Sequence, residues 1–192
     1  MPETSDSDFT WEGFHAANNN ELVATFGNFV HRVLTITTRN FDNAAPTPGE
    51  LDDSDKAALA ACDTALEEVS KAIDARRFRD GLRAAMRLAR HGNQYVDSKE
   101  PWKVVKVDKE TAGTALWVSL NVISTLRTVF YPYLPTSADK IHSMLFQSSD
   151  TLADGWNRRE IVPGAPIEKP VRLFTKLDDS IIEEENARLA RE

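Results

Sequence analysis

Apolar residues recur at intervals of three and four along most of the chain, the spacing that places side chains on one face of an α-helix. No segment shows the strict alternation of apolar and polar residues that is typical of a half-buried strand. Clusters of proline, glycine and asparagine separate the periodic segments. The pattern therefore predicts an all-α protein, a helical bundle of about five helices at residues 18–40, 53–74, 76–98, 109–130 and 137–147.

Residues at the ends of these segments favour the predicted boundaries. Asp53 or Ser54 can cap the second helix, because their side-chain oxygens accept hydrogen bonds from the first free N–H groups. Pro101 lacks an N–H group and is expected to stop the third helix. The residue before a proline avoids the α region, so Glu100 is predicted to be extended.

The character of the chain changes after residue 150, where glycine and proline become frequent. We expect residues 18–150 to form the helical domain. Residues 151–192 are expected to form an irregular, extended C-terminal strap that ends in a short charged helix. Residues 1–17 are interpreted as a connector.

Composition is that of one folded domain: 192 residues, of which 41% are hydrophobic and 28% are charged. No apolar run approaches the roughly 20 residues of a membrane span. The acidic, polar N-terminus does not resemble a secretory signal, and the single cysteine excludes an internal disulfide or a multi-cysteine zinc site. We therefore expect a cytoplasmic protein with no membrane partner.

The sequence contains none of the common catalytic motifs. The chain has no glycine-rich phosphate loop, no serine nucleophile elbow and no His-Glu helix pair that could hold zinc. Its four histidines are scattered, and we interpret each as a structural or surface residue. The sequence thus predicts neither catalytic residues nor a metal site in this chain.

Five arginines recur at intervals of three and four along the third predicted helix. The net charge of −7 argues against a general nucleic-acid binder but does not exclude a local basic face. The arginines can be a solvated surface paired with acids such as Asp80, or a track for phosphates. This arginine stripe consists of Arg76, Arg79, Arg83, Arg87 and Arg90, of which Arg83, Arg87 and Arg90 are the candidate phosphate contacts.

Trp102 follows the end of that helix directly after Pro101. A tryptophan in this position can fill the core, or it can offer a surface on which an unpaired base stacks. Asn28 and Arg32, one helical turn apart, can be an ordinary polar face or a pair that hydrogen-bonds to a base edge. The residue pattern alone leaves both alternatives open.

At these residues the sequence resembles a known family. It is similar to the C-terminal anticodon-binding domain of methionyl-tRNA synthetases, which are class I aminoacyl-tRNA synthetases. No single motif carries the resemblance, but their order and spacing together are specific, and they cover residues 8–180. The matching segments are Asn20–Arg32, Arg39–Asp42, Asn93–Trp102, Tyr133–Pro135 and Leu173–Asp178.

The resemblance implies a helical bundle that recognises the CAU anticodon of tRNA(Met). By resemblance, Trp102 stacks on an anticodon base, and Asn28 and Arg32 contact the first base, a cytosine. Asp97 and Pro101 match positions that shape the same pocket. A base contact of this kind contributes about 1–3 kcal/mol.

Two further positions match the family, and other features of the sequence depart from it. Asn93 and Tyr95 match its helix end and are implied to support the pocket, whereas His31 stands where the family commonly has asparagine. The family's HIGH and KMSKS motifs, which bind ATP, and its cysteine knuckles, which hold zinc in many relatives, do not occur. We therefore expect an inactive fragment of the enzyme, to which the missing catalytic half supplies ATP and zinc chemistry and an intramolecular contact.

Two alternatives remain at this stage. One is an anticodon-binding domain from another class I synthetase, for which cytosine at the first anticodon position would not be required. The other is a helical adaptor that binds proteins, which the acidic charge and charged tail favour. The adaptor interpretation predicts a buried Trp102 and no affinity for RNA.

Overall fold

A computed structural model describes residues 8–148 and 150–189, and within them it shows helices joined by turns and extended segments, without strands. The all-α prediction is confirmed. In chain order the helices are α1 (Trp11–Ala16), a π-helical segment (Ala17–Gly27), α2 (Asn28–Asn40), α3 (Asp53–Asp74), α4 (Phe78–Lys99), α5 (Pro101–Val104), α6 (Lys109–Phe130), α7 (Pro135–Phe146) and α8 (Ser180–Leu189).

Helix α6 is the centre of the bundle. Every residue from Ala112 to Phe130 is buried, because α2, α3, α4, α5 and α7 all pack against this helix. The ring of Phe130 stacks on that of Phe26, with centroids 4.3 Å apart. The predicted boundaries of this helix, 109 and 130, agree with the structure.

The first helix begins earlier than predicted. It starts at Trp11, where Thr10 Oγ1 accepts a hydrogen bond of 3.0 Å from the N–H of Gly13, and continues through the π-helical segment into α2. No residue of α1 is buried. This helix has six residues and only two large apolar side chains, Trp11 and Phe14, so it is too short to show a helical periodicity. Residues 1–7 of the predicted connector lie outside the described residues.

Helix α3 is capped by Asp52 rather than by Asp53 or Ser54. The Asp52 side chain accepts a hydrogen bond of 2.9 Å from the N–H of Asp55, whose carboxylate accepts one of 3.0 Å from the N–H of Asp52. This capping box satisfies two otherwise free N–H groups. Hydrogen bonds to Lys99 and Ser54 hold the pKa of Asp52 well below its usual value.

The prediction that Glu100 is extended is wrong. Its φ of 43° and ψ of 48° lie in the left-handed region. In this conformation the N–H of Glu100 donates a hydrogen bond of 3.0 Å to Val96 O, the last such bond of α4. Its carbonyl accepts a hydrogen bond of 2.8 Å from the N–H of Lys103. These bonds offset a strain of order 1–3 kcal/mol. Pro101 therefore begins α5 at a position that needs no N–H group, directly after α4 ends.

The C-terminal strap, residues 151–179, starts by running along α6. Three side chains at intervals of seven and four residues on this buried helix donate hydrogen bonds to strap carbonyls. The pairs are Trp117 Nε1 with Ile161 O (2.8 Å), Ser124 Oγ with Arg159 O (2.6 Å) and Thr128 Oγ1 with Asn157 O (2.8 Å). The strap thus satisfies polar groups that the other helices leave without partners.

Arg127 anchors the same part of the strap from inside the bundle, where it is 1% exposed. Its Nη1 lies 3.1 Å from Asp154 Oδ2 and 2.9 Å from His142 Nδ1. A guanidinium group only donates, so His142 must accept through Nδ1 and carry its proton on Nε2. Burial, followed by the charge of Arg127, lowers the pKa of His142.

The strap then crosses the bundle to the first helix. Ile167 N–H donates to Asn43 O (2.7 Å), and Glu168 N–H donates to Met144 O (2.9 Å). At its far end, the side-chain amide of Asn19 donates to Leu177 O and accepts from Leu177 N–H, both at 2.9 Å. The strap therefore closes the bundle by connecting α6, α7 and the first helix.

Gly92 permits the closest approach between α2 and α4. A Cβ atom at this position would lie 2.6 Å from Phe29 Cζ. We expect Gly92→Ala to lower the free energy of unfolding by about 1–2 kcal/mol, because overpacking of the ring outweighs a gain in helix propensity of about 1 kcal/mol. Chemical denaturation measures this, with Gln94→Ala, an exposed position on α4, as control. A variant as stable as the wild type would contradict the close contact.

The His142 contact predicts how stability depends on pH. Its pKa is lowered in the folded state relative to the ordinary value of 6.5, so the unfolded state binds more protons as the pH falls. The stabilisation is complete above pH 6.5 and declines as the pH drops below it. Chemical denaturation at pH 7.5 and 5.5 should show that the wild type loses free energy of unfolding at the lower pH. The loss should be smaller in His142→Gln, because glutamine can accept the hydrogen bond from Arg127 but does not titrate. Equal losses would exclude His142 as the source.

Candidate nucleic-acid interface

Arg32 lies where α2 comes closest to α4, one helical turn beyond the contact between Phe29 and Gly92. Its Nη1 donates to Asp97 Oδ1 at 2.6 Å, and its Nη2 donates to Asn93 Oδ1 at 3.2 Å. The fold thereby brings together three of the residues that the sequence singled out. Sequence spacing did not predict that Arg32 and Asp97 would pair with each other.

Trp102 completes this cluster. The Arg32 guanidinium carbon lies 5.2 Å from the centroid of the indole ring, within the range of a cation–π contact. Trp102 is half-buried and packs partly against the core, so it is neither a complete core plug nor a freely exposed ring. Buried Pro101 fixes the start of α5, and with it the position of the indole.

Asn93 connects this cluster to the main chain of two helical segments. Its Nδ2 donates to Thr25 O at 2.8 Å and to Ala89 O at 3.1 Å, while its Oδ1 accepts from Arg32. Thr25 belongs to the π-helical segment, so Asn93 connects that segment to α4. Both N–H groups of the amide and its oxygen therefore have partners within the protein.

Tyr95 points to the opposite side of α4 and is 5% exposed. Its hydroxyl donates to Asp55 Oδ1 at 2.7 Å, and Lys99 Nζ lies 2.7 Å from the same oxygen. Burial, followed by the charge and hydrogen bond of Asp55, raises the pKa of Tyr95. Tyr95 therefore attaches the end of α4 to the start of α3 and presents no group to a ligand.

Asn28 is exposed on the same helix as Arg32, one turn earlier. It lines a groove of about 410 Å³ together with His31 from α2 and with Arg172 and Lys176 from the C-terminal strap. Spacing along the sequence does not connect the strap with this site. A signal was present, since basic residues flank Leu173-Phe174 in the pattern of a strap with apolar residues inside and cations outside.

The three candidate phosphate contacts on α4 all have acidic partners. Arg83 pairs with Asp80 at 3.0 Å, Arg90 pairs with Glu21 at 3.0 Å, and Arg87 pairs with Glu68. All three arginines remain at least 44% exposed at the side chain. A phosphate could reach them only in competition with these carboxylates.

Three further features describe the chemistry of the chain. Across residues 8–148 and 150–189, no three His, Cys, Asp or Glu side chains are grouped closely enough to hold a metal ion. Within the same part of the chain, no helix has the length and apolar character needed to cross a bilayer. The single cysteine, Cys62, is buried, and burial raises its pKa.

The helical bundle, with half-buried Trp102 beside polar residues of α2 and α4, fits the class of helical anticodon-binding domains. Residues 45–192 match the family described as the anticodon binding domain of methionyl tRNA ligase. Residues 1–34 match the family described as class I tRNA synthetases (M). Because the first match covers more than half of the chain, the chain belongs to the methionyl-tRNA ligase anticodon-binding family.

Individual relatives agree with this assignment. The chain is 42% identical to a methionine–tRNA ligase of Bacteroides fragilis over 98% of its own length, which is 28% of that protein. It is 40% identical to one of Roseiflexus sp., again over 98% of the chain and 36% of the relative. It therefore spans about a third of the curated relatives it matches.

Solved structures show the same fold. The ligand-free methionyl-tRNA synthetase of Mycobacterium tuberculosis matches 93% of this chain with a TM-score of 0.87 and 27% identity, over 37% of its own length. The same enzyme bound to methionyl-adenylate matches 87% of the chain with a TM-score of 0.82, over 34% of its own length. The bundle and the family assignment thus agree.

Proposed function

We propose that this chain is the part of a methionine–tRNA ligase that binds the CAU anticodon loop of tRNA(Met). The longer protein would activate methionine with ATP and join it to the tRNA. The observation that carries the proposal is the cluster of Trp102, Arg32, Asp97 and Asn93, with Asn28 on the same face of α2. These are the positions that the family resemblance assigns to the anticodon pocket.

The geometry favours Arg32 as a group that is oriented before RNA arrives. A guanidinium has five N–H donors, and Asp97 and Asn93 take one each from the two terminal nitrogens. One N–H on each terminal nitrogen remains for the ring nitrogen and carbonyl acceptors of a cytosine edge. The side-chain oxygen of Asn28 can accept from the exocyclic amine of the same base.

Trp102 would provide the stacking surface. An indole held at the start of a short helix loses little freedom when a base binds, so most of the stacking energy appears as affinity. Arg32 already covers part of one face of the ring, and the base would occupy the rest of the accessible surface. The adaptor alternative predicts a buried indole, whereas Trp102 is half-buried.

The remaining chemistry is assigned to the catalytic half of the longer protein. By the family resemblance, ATP and, in many relatives, zinc would bind there. The catalytic half would adjoin the start of α1, where Phe9 and Phe14 are 65% and 46% exposed. On this proposal the chain alone has no ligase activity.

Removal of the indole tests the stacking role. Trp102→Ala should weaken binding of a CAU anticodon stem-loop by tenfold or more, since a stacked base contributes ~1–3 kcal/mol. Titration of the 192-residue chain measures this, in parallel with a loop whose cytosine is replaced. Trp102→Phe should retain most of the affinity, and Phe78→Ala, which removes an exposed ring elsewhere on α4, serves as control. Unchanged affinity in Trp102→Ala would refute the stacking role.

The arginine stripe predicts a different signature. If Arg87 contacts phosphate, Arg87→Gln should weaken binding to every loop sequence by a similar factor and reduce the slope of log affinity against log salt by about 1. Arg77→Gln, at the start of α4, is the matched control. Because Arg87 already pairs with Glu68, a result equal to the control would mean that this arginine only balances local charge.

A further inference from the structure

We propose that Lys99 is a positioning residue for the indole of Trp102. Its two ion pairs, with Asp52 and Asp55, would fix the end of α4 and with it the point from which the indole projects. The inference rests on the proposed function and adds to it a residue that sets the pocket without touching RNA. Both pairs lie on the side of α4 opposite Asp97, away from the proposed base contacts.

Lys99 is largely enclosed by acidic and aromatic groups. Its Nζ lies 2.6 Å from Asp52 Oδ2, 2.7 Å from Asp55 Oδ1 and 5.5 Å from the centroid of the Tyr95 ring. The side chains of Lys99 and Asp55 are 17% and 3% exposed. Removing one partner from such a buried pair leaves an uncompensated charge, so Asp55 holds the ammonium group in place.

One carboxylate oxygen holds two successive positions on α4. Asp55 Oδ1 accepts a hydrogen bond of 2.7 Å from the Tyr95 hydroxyl as well as its contact from Lys99. Residues four apart share a face of a helix, so both contacts act on the same side of the last turn. On the other side, Asp97 is bonded to Arg32. The end of α4 is therefore held between α3 and α2.

The two acidic partners are themselves fixed. Asp52 and Asp55 exchange hydrogen bonds as the capping box of α3. Asp52 Oδ1 also accepts a hydrogen bond of 2.7 Å from Ser54 Oγ. Lys99 is thus anchored to the start of a 22-residue helix rather than to a loop.

The main chain transmits this anchor to the indole. Lys99 is the last residue of α4 and lies three positions before Trp102. Between them, Glu100 is left-handed and Pro101 has a restricted φ. A residue before proline prefers an extended conformation, so Glu100 keeps its strained one only while the surrounding structure holds it. Release of Lys99 would let this corner relax and the indole leave its position beside Arg32.

Fluorine NMR of the chain labelled with fluorotryptophan tests the positioning without RNA. The chain has four tryptophans, and the signal that is lost in Trp102→Phe is that of Trp102. In Lys99→Met this signal should shift and broaden while the other three stay unchanged. Lys99→Arg can still donate to both carboxylates and should keep the wild-type spectrum. Lys56→Met, which removes an exposed positive charge next to Asp55, is the charge-matched control.

A double-mutant cycle connects the positioning to RNA binding. Affinity for the CAU stem-loop is measured for the wild type, Lys99→Met, Trp102→Ala and the combined variant. Lys99→Met should bind roughly fivefold more weakly, as expected if the indole then holds its binding orientation about a fifth of the time. In the Trp102→Ala background the same change should cost less than about twofold, because no indole remains to be positioned.

Two further readouts separate positioning from other roles. The slope of log affinity against log salt should stay at the wild-type value in Lys99→Met, since Lys99 contacts no phosphate. Asp52→Asn is a milder variant, because asparagine caps a helix about as well as aspartate while Lys99 loses one charged partner. It should move the Trp102 signal and the affinity in the same direction by a smaller factor. Asp52→Asn decides the matter if denaturation shows that Lys99→Met is unfolded.

An unchanged Trp102 signal in Lys99→Met, or in Asp52→Asn where Lys99→Met is unfolded, would overturn the inference. Equal changes in all four signals would do the same, since they would indicate a general loosening of the bundle. Losses that add in the cycle, a changed salt slope or a control equal to Lys99→Met would show an effect of charge that is independent of Trp102.

The outcomes also separate this inference from the proposed function. If the inference fails but the wild type still prefers the CAU loop to the cytosine-replaced loop, anticodon binding stands without the role of Lys99. If the wild type binds neither loop at about 50 mM salt, anticodon binding is refuted and the RNA role of Lys99 with it. A selective shift of the Trp102 signal would then show only that Lys99 orients the indole.

Discussion

Arg127 places a positive charge in the interior of the bundle, and the fold depends on the groups that neutralise this charge and accept its hydrogen bonds. Asp154 supplies the opposite charge, His142 accepts a hydrogen bond, and strap carbonyls accept others. Without the strap, Arg127, Trp117, Ser124 and Thr128 would leave buried polar groups unpaired, each at a cost of about 1–3 kcal/mol. The strap is therefore part of the bundle's interior chemistry rather than an appendage on its surface.

The same segment connects the core to the candidate RNA site. After leaving α6 it passes α7 and reaches α2, where Phe174 fills the space that Gly27 leaves open. On the other side of α2, Gly92 allows the Phe29 ring to approach α4, which brings Arg32 to Asp97 and Asn93. Two glycines thus set the position of α2, one toward the strap and the other toward the pocket.

Much of this could be predicted from sequence where the signal was local. The boundaries of α6 follow from its apolar run, and the order of motifs around Asn93 and Trp102 indicated the family. Helix α1 was missed because it is short and none of its residues is fully buried. The extended conformation predicted for Glu100 was wrong because main-chain hydrogen bonds outweighed its local preference. The acids that pair with Arg87 and Arg90, and the strap beside Asn28, come from distant segments that spacing along one helix cannot reveal.

The bond pair between Asn19 and Leu177 joins residues 158 positions apart in sequence. Closing a loop of this length costs conformational entropy, which the other contacts of the strap must offset. Among these contacts are the hydrogen bonds that the strap accepts from side chains of α6. The groove beside Asn28 is lined in part by the strap, so it exists only while the strap is docked, and a ligand that binds in the groove would stabilise the docked strap. Binding in this groove and docking of the strap are therefore thermodynamically coupled, so each favours the other.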